Sequence, residues 1–291
     1  MQKRPLSGRV TALALLASGT MVAFTFAPAA HAADDLTYCS GAIEDETIPG
    51  DLEVRAGDSC ELTDVTIEGE LLAGEESRVL ARSSTFKNGM TVESGSQVQG
   101  NRAFVSGGEL TGRGGMIALH ESSEVWASFV SEQPDGDELT VYELSKSQHM
   151  GGIRIDRGSV HLFDSNVSGN VTAADGGQVT VDGSKVVKDF TVADMTWGAV
   201  ICDSEVYGDV RVEGSEGGDV QLGGFSEWNS CGESTNHFDK DVTISNNNAP
   251  ITVYHNIIVG TLSGDGNEYE PEGSLNLVRG GQEGQFADLE P

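Results

Sequence analysis

The chain alternates apolar and polar residues in short bursts, as in Val179-Thr180-Val181 and Val210-Arg211-Val212, and ends each burst with Gly, Asn, Asp or Ser. Period two over so few residues predicts β-strands, and the helical period is nearly absent after the first 32 residues. Similar strand starts recur at Asp51, Glu70, Gly89, Glu109, Ser128, Gly152, Asn170, Asp189, Asp209, Asp241 and Thr261, mostly 18 to 20 residues apart. Two steps are longer and hold loop-like sequence, EQPDGDE within 131–138 and GGFSEWNSCGES at 223–234. Extra residues between regular units read as loops on a solenoid.

Short strands at this interval bury their apolar face only if the chain coils and stacks coil on coil, about 4.8 Å apart. The expectation is an all-β, single-domain right-handed parallel β-helix over residues 33–264, with about 10–11 coils of about 19–20 residues. A left-handed hexapeptide helix would need a strict multiple of six. Residues 265–291, rich in Gly, Glu and Pro, are expected to form an acidic, irregular tail that shields the last coil.

The four cysteines extend the same geometry. Cys39 and Cys60 lie 21 residues apart, about one coil, and Cys202 and Cys231 lie 29 apart, about one coil plus the second insertion. Stacking therefore predicts disulfides Cys39–Cys60 and Cys202–Cys231. A metal site is the competing reading, and no CxxC or HExxH spacing supports it.

Composition then narrows the setting. Lys3, Arg4 and Arg9, the apolar run TALALLASGTMVAFTF and the small-residue site around Ala32 and Ala33 read as a signal peptide at 1–32 with cleavage between those two alanines. No second apolar segment suggests a membrane span. The formal net charge is −29, and removing the three basic residues of the leader makes it more negative still. Nucleic acid is an unsuitable partner for such a surface, because phosphate binding depends on Lys and Arg. The expectation is a secreted, extracellular, monomeric protein.

The run CSGAIEDETIPGDLEVRAGDSCELTDVTIEGELLAG from Cys39, with units of the S-x-V-x-G-[DN]-V kind at Ser165, Ser184 and Ser204, resembles secreted right-handed parallel β-helix repeat proteins of high-GC Gram-positive bacteria. Those proteins carry the repeat T-V-x-G-N-V-x-V and are distantly similar in fold to pectate-lyase-like proteins. The resemblance covers most of residues 36–264 and implies architecture far more than activity.

Stacking turns sequence positions into columns. One opens each strand: Asp51, Glu70, Glu109, Asn170, Asp189, Asp209 and Asp241. Asp and Asn suit turns, while like charges one coil apart repel and invite a hard cation; Asp189 and Asp209 are the Ca²⁺ candidates, and no cofactor is otherwise implied. Two residues on, Thr91, Thr111, Arg154, Thr172, Thr191, Arg211 and Thr243 form an outward column in which Arg154 and Arg211 are placed to hold an acidic sugar or polymer.

Catalysis on a β-helix would need clustered carboxylates with an Arg or Lys base, or paired carboxylates. The richest candidate is IRIDRGSVH, with Arg154, Asp156, Arg157 and His161, joined by Arg211 from the column; Asp135 and Asp137 lie in the first insertion. The histidines His120, His149, His237 and His255 lack paired ligand spacing, and Trp126, Trp197 and Trp228 are scattered. The sequence leans away from an enzyme. It points to a structural or binding role at the cell surface or extracellular matrix, with envelope or extracellular polysaccharide as partner; the alternative is a polysaccharide lyase or glycoside hydrolase acting on acidic glycans.

Overall fold

A computed structural model describes residues 36–132, 138–224 and 231–290. The chain winds through three parallel sheets, contributing one short strand to each per coil. Sheet 1 has 13 strands running from Thr37–Tyr38 to Gly281–Gln282, sheet 2 has 12 from Gly41–Glu44 to Glu272–Ser274, and sheet 3 has 12 from Thr47–Ile48 to Leu277–Val278. Each strand pairs with its equivalents one coil before and one coil after, so the fold is a parallel β-solenoid of about 12 coils.

Every strand start read from the sequence falls in or beside a sheet 1 strand, as with Asp209 before Val210–Glu213. The expected leader with its expected cleavage site at Ala32 and Ala33, and Asp135, Asp137 and Trp228 in the insertions, lie outside the described residues. The tail expectation is corrected. Residues 272–282 add three more strands, and a 3-10 turn at Gly284–Phe286 follows. Phe286 is fully buried and Leu289 nearly so, so this segment closes the core as well as covering it. Its apolar residues are sparse because a terminal coil has a neighbour on one side only, which hides the repeat.

The motif Phe163-Asp164-Ser165-Asn166-Val167-Ser168-Gly169-Asn170-Val171 shows why the sequence repeats. Phe163 ends a sheet 2 strand, and Asp164 turns the corner with φ 47°, a left-handed conformation that Asp, Asn and Gly adopt most readily. The same corner carries positive φ at Asp45, Asp64, Ser83, Arg102, Lys146, Gly183, Asp203, His255 and Leu275. That corner points Ser165 inward, and Val167 of sheet 3 and Val171 of sheet 1 then face the core. At the third corner a Cβ on Gly169 would lie 2.1 Å from the Gly151 carbonyl oxygen of the coil before, so only glycine lets the two backbones stack there.

Ser165 belongs to a buried ladder. Its hydroxyl accepts from the Ser147 N–H at 3.1 Å and donates to the Phe163 carbonyl at 2.7 Å, and Ser184 and Ser204 repeat the pattern one coil at a time. From Asn236 onward asparagine replaces serine. Asn236 Nδ2 donates to Asn256 Oδ1 at 3.0 Å, and Asn256 Nδ2 donates to Asn276 Oδ1 at 3.0 Å, linking side chain to side chain along the axis. A second amide ladder, Asn247 to Asn267 to Gln285, lines the corner between sheets 1 and 2 in the same coils. Each such bond contributes on the order of 1 kcal/mol, and an unmade one costs more.

Both cysteine pairs form, Cys39–Cys60 with Cα atoms 5.7 Å apart and Cys202–Cys231 at 5.1 Å. The first pins the opening coil to the next, and the second ties the end of the second insertion to sheet 2. Between the corner ladders the core is mainly columns of Val, Leu, Ile and Phe, and it also holds a buried polar pair of rings. Tyr142 stacks on Phe129 at 4.3 Å and bonds His149 Nδ1 at 2.8 Å, and both polar rings are wholly buried. Burial pushes the Tyr142 hydroxyl up and lowers the His149 imidazole to about 4, against a weaker opposing pull from the Gly152 carbonyl.

Candidate functional site

The outer face of sheet 1 carries the residues that the sequence singled out. Backbone register aligns Arg154, Thr172, Thr191, Arg211 and Thr243 on successive coils, and Thr91 pairs with Thr111. Val130 sits between Thr111 and Arg154 in this column, so the array is broken where the sequence ran it straight on. Near its C-terminal end the face dips into a hollow of about 270 Å³ lined by Asp189, Thr191, Asp209, Arg211, Asp241 and Thr243.

The strand-opening acids owe much of their place to the backbone. Asp51 Oδ1 accepts the Glu70 N–H at 2.7 Å, Asp189 Oδ1 accepts the Asp209 N–H at 3.1 Å, and Asp241 Oδ1 accepts the Thr261 N–H at 2.8 Å. Each carboxylate thus tethers the next coil where the chain enters sheet 1. This use also bears on Ca²⁺, which takes six to eight oxygen ligands. Among the described residues no group of three or more His, Cys, Asp or Glu is gathered to hold a metal ion.

The catalytic candidates do not converge. Arg154 pairs with Asp156 at 3.2 Å on the sheet 1 face, whereas Arg157 occupies the following corner at φ 59°. His161 lies on sheet 2, aligned with Glu143 and Thr180, and burial lowers its basicity while Glu143 raises it. Arg211 stands three coils from Arg154. On the following coil Ala174 stands beside Asp156, and on the preceding coil the Ser131 hydroxyl bonds the Asp156 backbone.

A second hollow on sheet 1, of about 370 Å³, includes Glu53, Glu70, Leu72, Thr91, Glu93 and Arg113. Arg113 bridges Glu132 at 2.7 Å and Glu93 at 2.9 Å, and those bonds raise its pKa. The sequence reading missed this cation, although the steps Glu93, Arg113, Glu132 follow the coil length. Among the described residues no helix is long and apolar enough to cross a membrane.

Fold and face together define the class: a disulfide-tied parallel β-solenoid whose sheet 1 face presents carboxylates, threonines and an arginine. No protein family, no curated protein and no solved structure matches the chain. Of what the resemblance implied, the structure shows the parallel β-solenoid fold.

Proposed function

We propose that this is a secreted, non-catalytic β-solenoid with a structural or binding role at the cell surface or in the extracellular matrix, and that the sheet 1 face contacts an envelope or extracellular polysaccharide. The observation carrying this reading is the hollow in which Arg211 stands among Asp189, Asp209 and Asp241 across three coils, three coils away from the Arg154–Asp156 pair. Carboxylates that accept backbone N–H groups are structural groups first, and a side-chain array repeating with the coil matches a polymer better than a small substrate. The two disulfides suit an oxidising compartment.

The test has two arms. Purified protein is incubated with pectin, alginate and related polymers and assayed for unsaturated products and new reducing ends; sedimentation with insoluble cell-wall polysaccharide measures binding. The reading expects binding that weakens in Arg211→Ala and no turnover. Turnover abolished by Arg154→Ala or Arg211→Ala would establish the lyase or hydrolase reading in its place.

A further inference from the structure

The outer face of sheet 3 carries two side-chain columns that none of the preceding account uses. The first is polar: Glu124, Gln148 and Asn166 stand on successive coils, in register and exposed. The second lies two residues further along each strand, on the same side of the sheet. Trp126, Met150, Ser168 and Val187 follow one another there, each N–H bonding the carbonyl of the coil before. Trp126 is 59% exposed, Met150 46% and Val187 44%, so this column presents apolar side chains to solvent, with Ser168 standing between Met150 and Val187. Large apolar side chains aligned at the surface are uncommon and mark contact sites.

Trp126 is held in place. Its ring meets Phe104 of the preceding coil edge to face, with centroids 6.3 Å apart, and its Nε1–H points to Glu124 at 3.4 Å. Ser168 leans on the Met150 sulfur at 3.6 Å. Beside the polar column a hollow of about 210 Å³ crosses the same three coils, lined by Ser122, Glu124, Lys146, Gln148, Asp164 and Asn166. Its lining mixes one ammonium and two carboxylates with uncharged hydroxyl and amide groups, on a chain whose net charge is −29. The side chains of Lys146, Gln148 and Asn166 bond to nothing else among the described residues, which leaves donors and acceptors directed at solvent.

An immobilised indole beside a row of free amides and carboxylates has a definite ligand chemistry. A pyranose ring offers an apolar C–H face and an edge of hydroxyls that both donate and accept. Such a face suits Trp126 and Met150, and such an edge suits Glu124, Gln148, Asn166 and the hollow. The columns run along the solenoid axis at about 4.8 Å per coil, so the ligand they suit is a chain of such rings. The near balance of charge at the hollow favours a neutral chain over an acidic one.

We propose that the sheet 3 face around Trp126, Gln148 and Asn166 binds a neutral saccharide chain. This site lies on a different sheet from the Arg211 hollow, so its failure leaves the sheet 1 reading standing, and the converse holds too.

The test uses the full exported chain with Trp197→Phe and Trp228→Phe, which leaves Trp126 as the one tryptophan. Cellohexaose, chitohexaose and a galacturonate hexamer are titrated separately. The proposal expects a saturable blue shift of emission with one or both neutral hexamers, with a Kd of about 1 mM or tighter. By calorimetry on the otherwise native chain, Trp126→Ala weakens that binding about tenfold or more, Gln148→Ala with Asn166→Ala weakens it several-fold with the melting temperature unchanged, and Arg211→Ala leaves it intact. The proposal is overturned by no saturation with either neutral hexamer up to about 10 mM. Binding confined to the galacturonate hexamer, or neutral-hexamer binding retained by both sheet 3 variants, overturns it as well.

Discussion

The serine-laddered middle of the solenoid and its asparagine-laddered C-terminal coils solve one problem with different chemistry. In both, the corner after sheet 2 leaves a buried N–H that the next coil must satisfy. A serine hydroxyl accepts that N–H and returns its proton to its own strand, as Ser184 does with Ser165 and Asp182, so the ladder links side chain to backbone only. Asparagine accepts the N–H and also donates, so Asn236, Asn256 and Asn276 bond to one another as well as to backbone carbonyls such as Ile201 and Leu222. The change falls between Ser204 and Asn236, the step that carries the second insertion and Cys202–Cys231. Coils near an end have fewer neighbours, and the denser amide network, doubled by Asn247 and Asn267, reinforces them.

The comparison breaks most sharply at Asn256. Asn256→Ala removes the bond accepted from Asn236 and the Nδ2 donations shared among Asn276, Leu222 and Tyr254, and is expected to lower stability by about 3 kcal/mol in denaturant unfolding. A loss no larger than that of the serine variant below would show that the amide network adds nothing.

Acid should act on the other region. His149 is held at about 4 in the folded chain against about 6.5 unfolded, so its neutral form is favoured by folding. That stability is complete above pH 6.5 and is lost as pH falls toward 4, because the unfolded chain takes up the proton first. The expected loss between pH 7.5 and 4.5 is about 2.5 kcal/mol. Melts of the chain against Tyr142→Phe with His149→Leu check it, since the double variant should show a flatter profile. Amide exchange at pH 4.5 should speed up around residues 140–149 before it does in the asparagine coils.

Ser184→Ala leaves the Ser165 N–H without its partner and should cost about 1 kcal/mol, read in the same unfolding assay. The smallest effect belongs to the acidic corner. Burial, and then Asp164 and Asp203, raise the Asp182 pKa, so Asp182→Asn should stabilise the fold by about 0.5 kcal/mol at neutral pH in low salt and by less as salt is added. Millimolar Ca²⁺ should shift the melt no more than an equal ionic strength of NaCl.

The strand starts of sheet 1 were legible because its entry corner demands glycine and Asp or Asn ahead of an inward Val, as at Gly169-Asn170-Val171. Both disulfides followed from the same coil length. Sheets 2 and 3 were not separable by eye, since two-residue strands such as Asn166–Val167 are too short for period two to register. The last coil escaped because Leu275 and Leu277 point outward and leave few apolar residues in phase. At the candidate site the column from Arg154 to Arg211 was readable, but Val130 breaks its run back to Thr111, and the Asp-to-backbone tethers could not be read from spacing alone. Trp126 looked isolated because Phe104, which its ring meets, and Met150, which follows it in the column, are neighbours only across coils.

The stack itself is tested most directly by distances along one column. Spin labels at Thr111 and Thr191, and at Thr111 and Thr243, stand four and six coils apart by register. At about 4.8 Å per coil their separations by double electron–electron resonance should be about 19 and 29 Å. Separations that fail to lengthen with the number of coils between the labels would mean that these strands do not stack one above another.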